Sequence, residues 1–178
     1  MVYFYLAPGF DEVEALTPAD YLRRCGCEVR LIGVGGRLIT GAHGITVQAD
    51  CTAEEARELP ELVVLPGGMP GTKNLMASKA VTEMVCNCAR AGKYVAAICA
   101  APSVLGRLGL LAGKRATCYP GFEDELAGAA FVREPVVVDG KLITSRGAGT
   151  ANQFAFALAE ALCGKEEAAT LKAAVQWE

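Results

Sequence analysis

One cysteine in this chain stands where a thiol can become a nucleophile. It is Cys99, within the apolar run Tyr94-Val-Ala-Ala-Ile-Cys-Ala-Ala-Pro-Ser103. Tyr94 to Ile98 reads as a short buried strand, and Pro102 suits the first turn of a helix, where its missing N–H costs nothing. A side chain on so tight a strand-to-helix turn is held in the geometry called a nucleophile elbow. That geometry needs small residues two places to either side, here Ala97 and Ala101. The helix N-terminus adds partial positive charge and free N–H groups, which favour thiolate over thiol. The same stretch also suits Cys99 as a small buried hydrophobe, the ordinary role of a free cysteine.

A second stretch could serve that chemistry. Leu62 to Leu65 reads as a buried strand and runs into Pro66-Gly67-Gly68-Met69-Pro70-Gly71. Ligands in parallel sheets bind at the carboxyl ends of strands, and paired glycines there let backbone N–H groups face a developing oxyanion. The loop lacks the Gly-Lys-Ser/Thr ending of a Walker loop, and Gly67-Gly68 is also compatible with a plain tight turn. A third junction, Ser145-Arg-Gly-Ala-Gly-Thr150, could bind an anion or merely connect a strand to a helix. Asp11 and Glu14 have the spacing of a capping box, with Glu14 reaching back from the third helical position.

The other cysteines carry no comparable signal. Cys25/Cys27 and Cys86/Cys88 have one intervening residue where zinc knuckles and thioredoxin motifs have two, and His43 is the only histidine. No metal or other cofactor is expected. The stretch Met1-Val-Tyr-Phe-Tyr-Leu-Ala7 lacks the positive leader and the length of a signal peptide, so all eight cysteines are expected to be thiols in a reducing, cytoplasmic compartment.

The elements that must position these residues alternate. Strands are predicted over Val2–Leu6, Glu28–Val34, Leu62–Leu65, Tyr94–Ile98, Arg115–Cys118, Phe131–Val138 and Leu142–Ser145, the last two joined at Asp139-Gly140. Arg37 to Asp50 reads as a hairpin around Gly41-Ala-His-Gly44. Helices are predicted from Asp11 to Gly26 with a kink or restart at Pro18, over Ala53–Arg57, Ser78–Arg90, Leu105–Leu111 and Glu123–Ala127, then through Phe154, Leu158 and Leu162 to Gly164, and over Glu166–Val175. Gly33-Val-Gly-Gly36 leads into strand-like sequence, so it is no dinucleotide fingerprint. The alternation predicts a three-layer α/β sandwich with a mostly parallel central sheet and helices on both faces.

At 178 residues the chain is most simply one domain, 1–178, able to bury about two-thirds of its unfolded surface. A net charge of -3 with scattered Lys and Arg leaves no footprint for nucleic acid. The longest charge-free runs, such as Tyr94 to Gly106, fall short of the ~20 apolar residues of a membrane helix.

Taken together, Leu65-Pro-Gly-Gly68, Ala97-Ile-Cys-Ala100, Thr144-Ser-Arg-Gly-Ala-Gly-Thr150 and Glu12-Val-Glu14 resemble, in this order and spacing, the DJ-1 branch of the ThiJ/PfpI superfamily. The resemblance runs over essentially the whole chain. It implies a flavodoxin-like fold of the class I glutamine amidotransferase type, a homodimer and a stress-related cytoplasmic role. It makes Glu14 the partner of Cys99, although the two are far apart in sequence. Thiolate and carboxylate in contact repel, so the pair must retain a proton, with Glu14 expected to titrate high and Cys99 low.

By position in the motif, Gly68 and Ala100, beside Gly67, would offer N–H groups to an oxyanion. Arg24 matches a basic residue that reaches the partner's pocket across the dimer, and His43 aligns roughly with a pocket arginine. Two departures matter. Tyr119 stands where many relatives carry a histidine before the proline, and a phenol of pKa about 10 is a poor base at neutral pH. Ala100 follows Cys99 where protease-like members have histidine, which argues against a peptidase or amidotransferase.

What the resemblance implies for function is a cofactor-free glyoxalase or deglycase. Cys99 would add to methylglyoxal or to early glycation adducts, and Glu14 would shuttle the proton. The alternative is an oxidative-stress sensor or redox-regulated chaperone in which Cys99 is oxidised to a sulfinate. The family's thiamine-linked label finds no support in the residues.

Overall fold

Val2–Leu6, with every residue buried, forms β1 at the heart of the sheet. A strand covered on both faces has no polar side to show water, which is why Val-Tyr-Phe-Tyr-Leu lacks alternation. The computed structural model describes residues 1–177. In it β1 pairs in parallel with β2 (Val29–Gly33) on one side and β6 (Leu62–Leu65) on the other. Beyond β6 come β7 (Tyr94–Ile98) and β11 (Leu142–Ser145), both parallel, then the antiparallel edge strand β10 (Val136–Asp139). The short β5 (Cys51–Thr52) closes the far edge, giving the order β10-β11-β7-β6-β1-β2-β5.

Helices cover both faces. On one lie α1 (Glu12–Arg24), α5 (Ala151–Cys163) and α6 (Lys165–Ala174), whose Ala15, Leu22, Phe154, Leu158 and Leu171 pack on Phe4, Val64 and Ile98. On the other lie α2 (Gly71–Ala77), α3 (Lys79–Arg90) and α4 (Pro102–Arg107), packing Leu75, Val81, Val85, Val104 and Leu105 against Tyr5, Val63 and Ala97. This is the flavodoxin-like three-layer α/β sandwich. No helix among the described residues is long and apolar enough to cross a membrane.

The hairpin between Arg37 and Asp50 forms as antiparallel β3 (Leu38–Thr40) and β4 (Thr46–Gln48). Several expectations need correction. α1 runs unbroken through Pro18. Residues 53–57 form only a turn, because Glu55 folds back onto the Thr52 N–H and pairs with Arg37 instead of extending a helix. α2 fills residues over which no element is predicted between the Pro66–Gly71 loop and the helix at Ser78. α4 stops at Arg107, where Gly109 at φ +72° turns the chain away. The strand expected over Phe131–Val138 is split by Pro135 into β9 (Ala130–Phe131), paired with β8 (Arg115–Ala116), and β10. Residues 123–125 make a single 3₁₀ turn.

The loops after β1, β6, β7 and β11 all emerge at the carboxyl end of the parallel strands. That end of the sheet collects Glu14, the Gly67-Gly68 loop, Cys99 and the Arg146–Thr150 segment.

Candidate active site

Cys99 sits at φ +65°, a left-handed conformation that costs a non-glycine residue about 1–3 kcal/mol and persists only where the surroundings impose it. Here they do. The Cys99 N–H donates to the Ser145 carbonyl at 3.0 Å, its carbonyl accepts the Tyr119 N–H at 2.8 Å, and the Ala101 N–H donates to Ile98 at 3.1 Å. The end of β11 and the Tyr119 loop therefore clamp the elbow from both sides. N–H groups of Gly68 and Ala100 point at the sulfur.

Glu14 lies in the first turn of α1 and is 1% exposed. Asp11 caps the helix by accepting the Glu14 N–H at 3.1 Å, but the reciprocal half of the capping box is missing. The Asp11 N–H is already taken by the Gly67 carbonyl at 3.0 Å, which leaves the Glu14 carboxyl free to enter the site. There it accepts the Gly67 N–H at 2.9 Å and the Ala148 N–H, and it hydrogen-bonds the Cys99 sulfur. Gly67 is thus a carboxylate positioner, not the oxyanion donor the sequence suggested. No side chain fits at that position, because a Cβ would lie 2.6 Å from both the Cys99 Cβ and Glu14 Oε2.

Burial, with the nearby Asp11 charge, pushes the Glu14 carboxyl up to about 7. Cys99 departs from the expected low value. Burial first, then the Glu14 charge and hydrogen bond, push its thiol up to about 12 against the pull of the Gly68 and Ala100 N–H groups. The two values belong to one pair, which releases a first proton near 7 and holds the second. Between those limits the pair carries one proton and one negative charge. Two backbone N–H groups support that charge on sulfur and two support it on Glu14, where the lower of the two values places it at rest, and the contact gives the thiol proton a direct acceptor.

Tyr119 borders the site, half exposed, where a Cβ on Gly147 would approach its ring at 3.3 Å. It lines a cleft of about 320 Å³ with Pro120 and the Arg146–Thr150 segment. Arg24 lies away from Cys99 on the outer face of α1, paired with Asp20 at 2.7 Å. His43 is held by Glu12, whose Oε2 meets the imidazole Nδ1 at 2.8 Å, while Oε1 accepts the His43 N–H at 2.9 Å. Burial opposes the Glu12 charge, but the His43 ring and the His43 and Ile45 N–H groups outweigh it and hold the carboxyl below its ordinary value. This buried carboxylate, which ties the β3–β4 hairpin to α1, was missed; its partners lie 31 and 33 residues away with no local spacing to reveal them.

A model of the DJ-1/PfpI family matches residues 1–161. The chain belongs to the DJ-1/PfpI family. Among its DJ-1/PfpI relatives, protein dj-1beta of Drosophila melanogaster is 40% identical over 166 residues, covering 91% of this chain and 89% of that protein. A protein of Pyrococcus abyssi named a deglycase is 38% identical over 143 residues, covering 79% and 86%. The structure of Toxoplasma gondii DJ-1, oxidized, matches with a TM-score of 0.96 at 35% identity over 99% of this chain and 97% of that one.

Proposed function

We propose that this DJ-1/PfpI chain is a cofactor-free, cysteine-dependent glyoxalase or deglycase acting on methylglyoxal and early glycation adducts. The observation that carries the reading is the Cys99–Glu14 pair, one charge and one proton with two backbone donors at each end. The deglycase name of the Pyrococcus relative supports it.

In the proposed reaction the proton moves from sulfur to Glu14 and the Cys99 thiolate adds to the aldehyde carbon of methylglyoxal. The resulting alkoxide takes the Glu14 proton beside the Gly68 and Ala100 N–H groups. Glu14, again a carboxylate, then removes the hydrogen from the former aldehyde carbon to leave an enediolate, the hydroxyl proton passes to the neighbouring oxygen, and Glu14 returns its proton to the adjacent carbon. A 2-hydroxy thioester results. Water cleaves it to the hydroxy acid and restores the thiol, with no net change of oxidation state and no cofactor. Tyr119 takes no part as a base.

The same reading places the protein in the cytoplasm as a homodimer, with Arg24 reaching its partner's pocket. Exposed Val13 in the first turn of α1, with Leu38 and Ile45 on the hairpin, offers apolar surface near the site for such a contact. The alternative, a sulfinate-forming sensor or redox-regulated chaperone, uses the same donors to hold sulfinate oxygens.

The test is hydroxy acid release from methylglyoxal by wild type, Cys99→Ala and Tyr119→His. Steady production that vanishes in Cys99→Ala is expected. Production only after Tyr119→His, or none in any variant, would refute the enzyme and leave the sensor.

A further inference from the structure

Away from the active site, three thiols meet at the far ends of α1 and α5. Cys25 caps the C-terminus of α1, Cys27 follows two residues later in the turn into β2, and Cys163 is the last residue of α5. The Cys27 and Cys163 sulfurs lie 3.5 Å apart, although 136 residues separate them in the chain. All three side chains are partly exposed and none is bridged. Nothing in the proposed reaction uses them.

We infer that Cys27 and Cys163 are a disulfide-forming thiol pair, a modification site for low-molecular-weight disulfides that works independently of Cys99. The sulfurs already touch, so closing the bond calls for side-chain rotation and not for movement of the sheet. The bond would tie the α1–β2 turn to the α5–α6 turn. Burial, together with the contact to Cys163, pushes the Cys27 thiol up to about 12, so Cys27 keeps its proton and acts second.

In the first step the Cys163 thiolate attacks one sulfur of the small disulfide, forms a mixed disulfide and expels one small thiolate. Cys27 then attacks the Cys163 sulfur, gives up its proton and expels the second small thiol. Two protein thiols lose two hydrogens and two electrons, and one disulfide is reduced to two thiols. Cys25 also contacts the Cys163 sulfur, and it is the natural competitor.

The experiment equilibrates the purified full-length chain in buffers of graded oxidised to reduced glutathione. Remaining thiols are alkylated and the digest is mapped by mass spectrometry. The expected result is a Cys27–Cys163 linked peptide within a single chain, with loss of two alkylatable thiols. It should persist in Cys99→Ala and in Cys25→Ser and be absent in Cys163→Ser. A Cys25–Cys163 link, a link between two chains, a glutathione adduct that never resolves, or dependence on Cys99 would each overturn the proposal.

Discussion

Cys99 and Cys27 are both partly buried sulfurs pushed up to about 12, yet only one is built for turnover. Cys27 is raised by burial and by a neighbouring thiol, and its one close partner is another sulfur. Cys99 is raised by burial and by a carboxyl group that can take its proton, faces two backbone N–H donors, and is held at φ +65° above the ends of the strands. Burial alone makes a quiet thiol. What separates the two regions is a proton acceptor in contact and a charge site already furnished with donors.

The largest expected effect falls on the sulfur itself. Cys99→Ala should reduce hydroxy acid production to background while circular dichroism still shows the folded chain. Gly67→Ala disturbs the pair sterically, since its Cβ would press 2.6 Å from both the Cys99 Cβ and Glu14 Oε2. Overpacking of that kind costs about 1–3 kcal/mol by urea unfolding, and prising the pair apart should lower turnover ~100-fold.

Glu14→Gln keeps the shape and removes the proton carrier, so turnover should fall ~10²–10⁴-fold in the same assay. It also has a signature in stability. The folded-state value of Glu14 is raised from 4.5 to about 7, so between those values the native chain holds a proton that the unfolded chain releases. Wild type should therefore lose stability as pH rises through this window, and the difference from Glu14→Gln should shrink accordingly in urea titrations at pH 5 and pH 7. Tyr119→Phe should leave the rate near that of wild type, since Glu14 does the proton work. The smallest effect is Cys163→Ser, which should leave turnover unchanged; a loss there would erase the distinction between the two regions.

The parts of this arrangement that were legible in the sequence were those written locally. Val2–Leu6, Leu62–Leu65 and Tyr94–Ile98 are continuous apolar runs, and their bounds match the strands residue for residue. Ala97, Ala101 and Pro102 mark the elbow around Cys99 in the same local way. Glu14 was different: its spacing from Asp11 indicates a cap, and only the family resemblance pointed it toward the sulfur. Which glycine N–H faces the carboxylate depends on the path of the loop, so Gly67 was misassigned. Glu12–His43 and Cys27–Cys163 are brought together by the winding of the sheet across 31 and 136 residues, and no periodicity encodes such meetings.

The central claim is that Cys99 and Glu14 share one proton and one charge, and it is tested most directly by the pH dependence of Cys99 alkylation by iodoacetamide. Mass spectrometry can follow Cys99 separately from the other cysteines, in wild type and in Glu14→Gln. The account predicts a reactivity midpoint near the first proton loss of the pair, about 7, which shifts when Glu14 is replaced. A wild-type midpoint at or above the ordinary thiol value of 9.0, unmoved by Glu14→Gln, would contradict it.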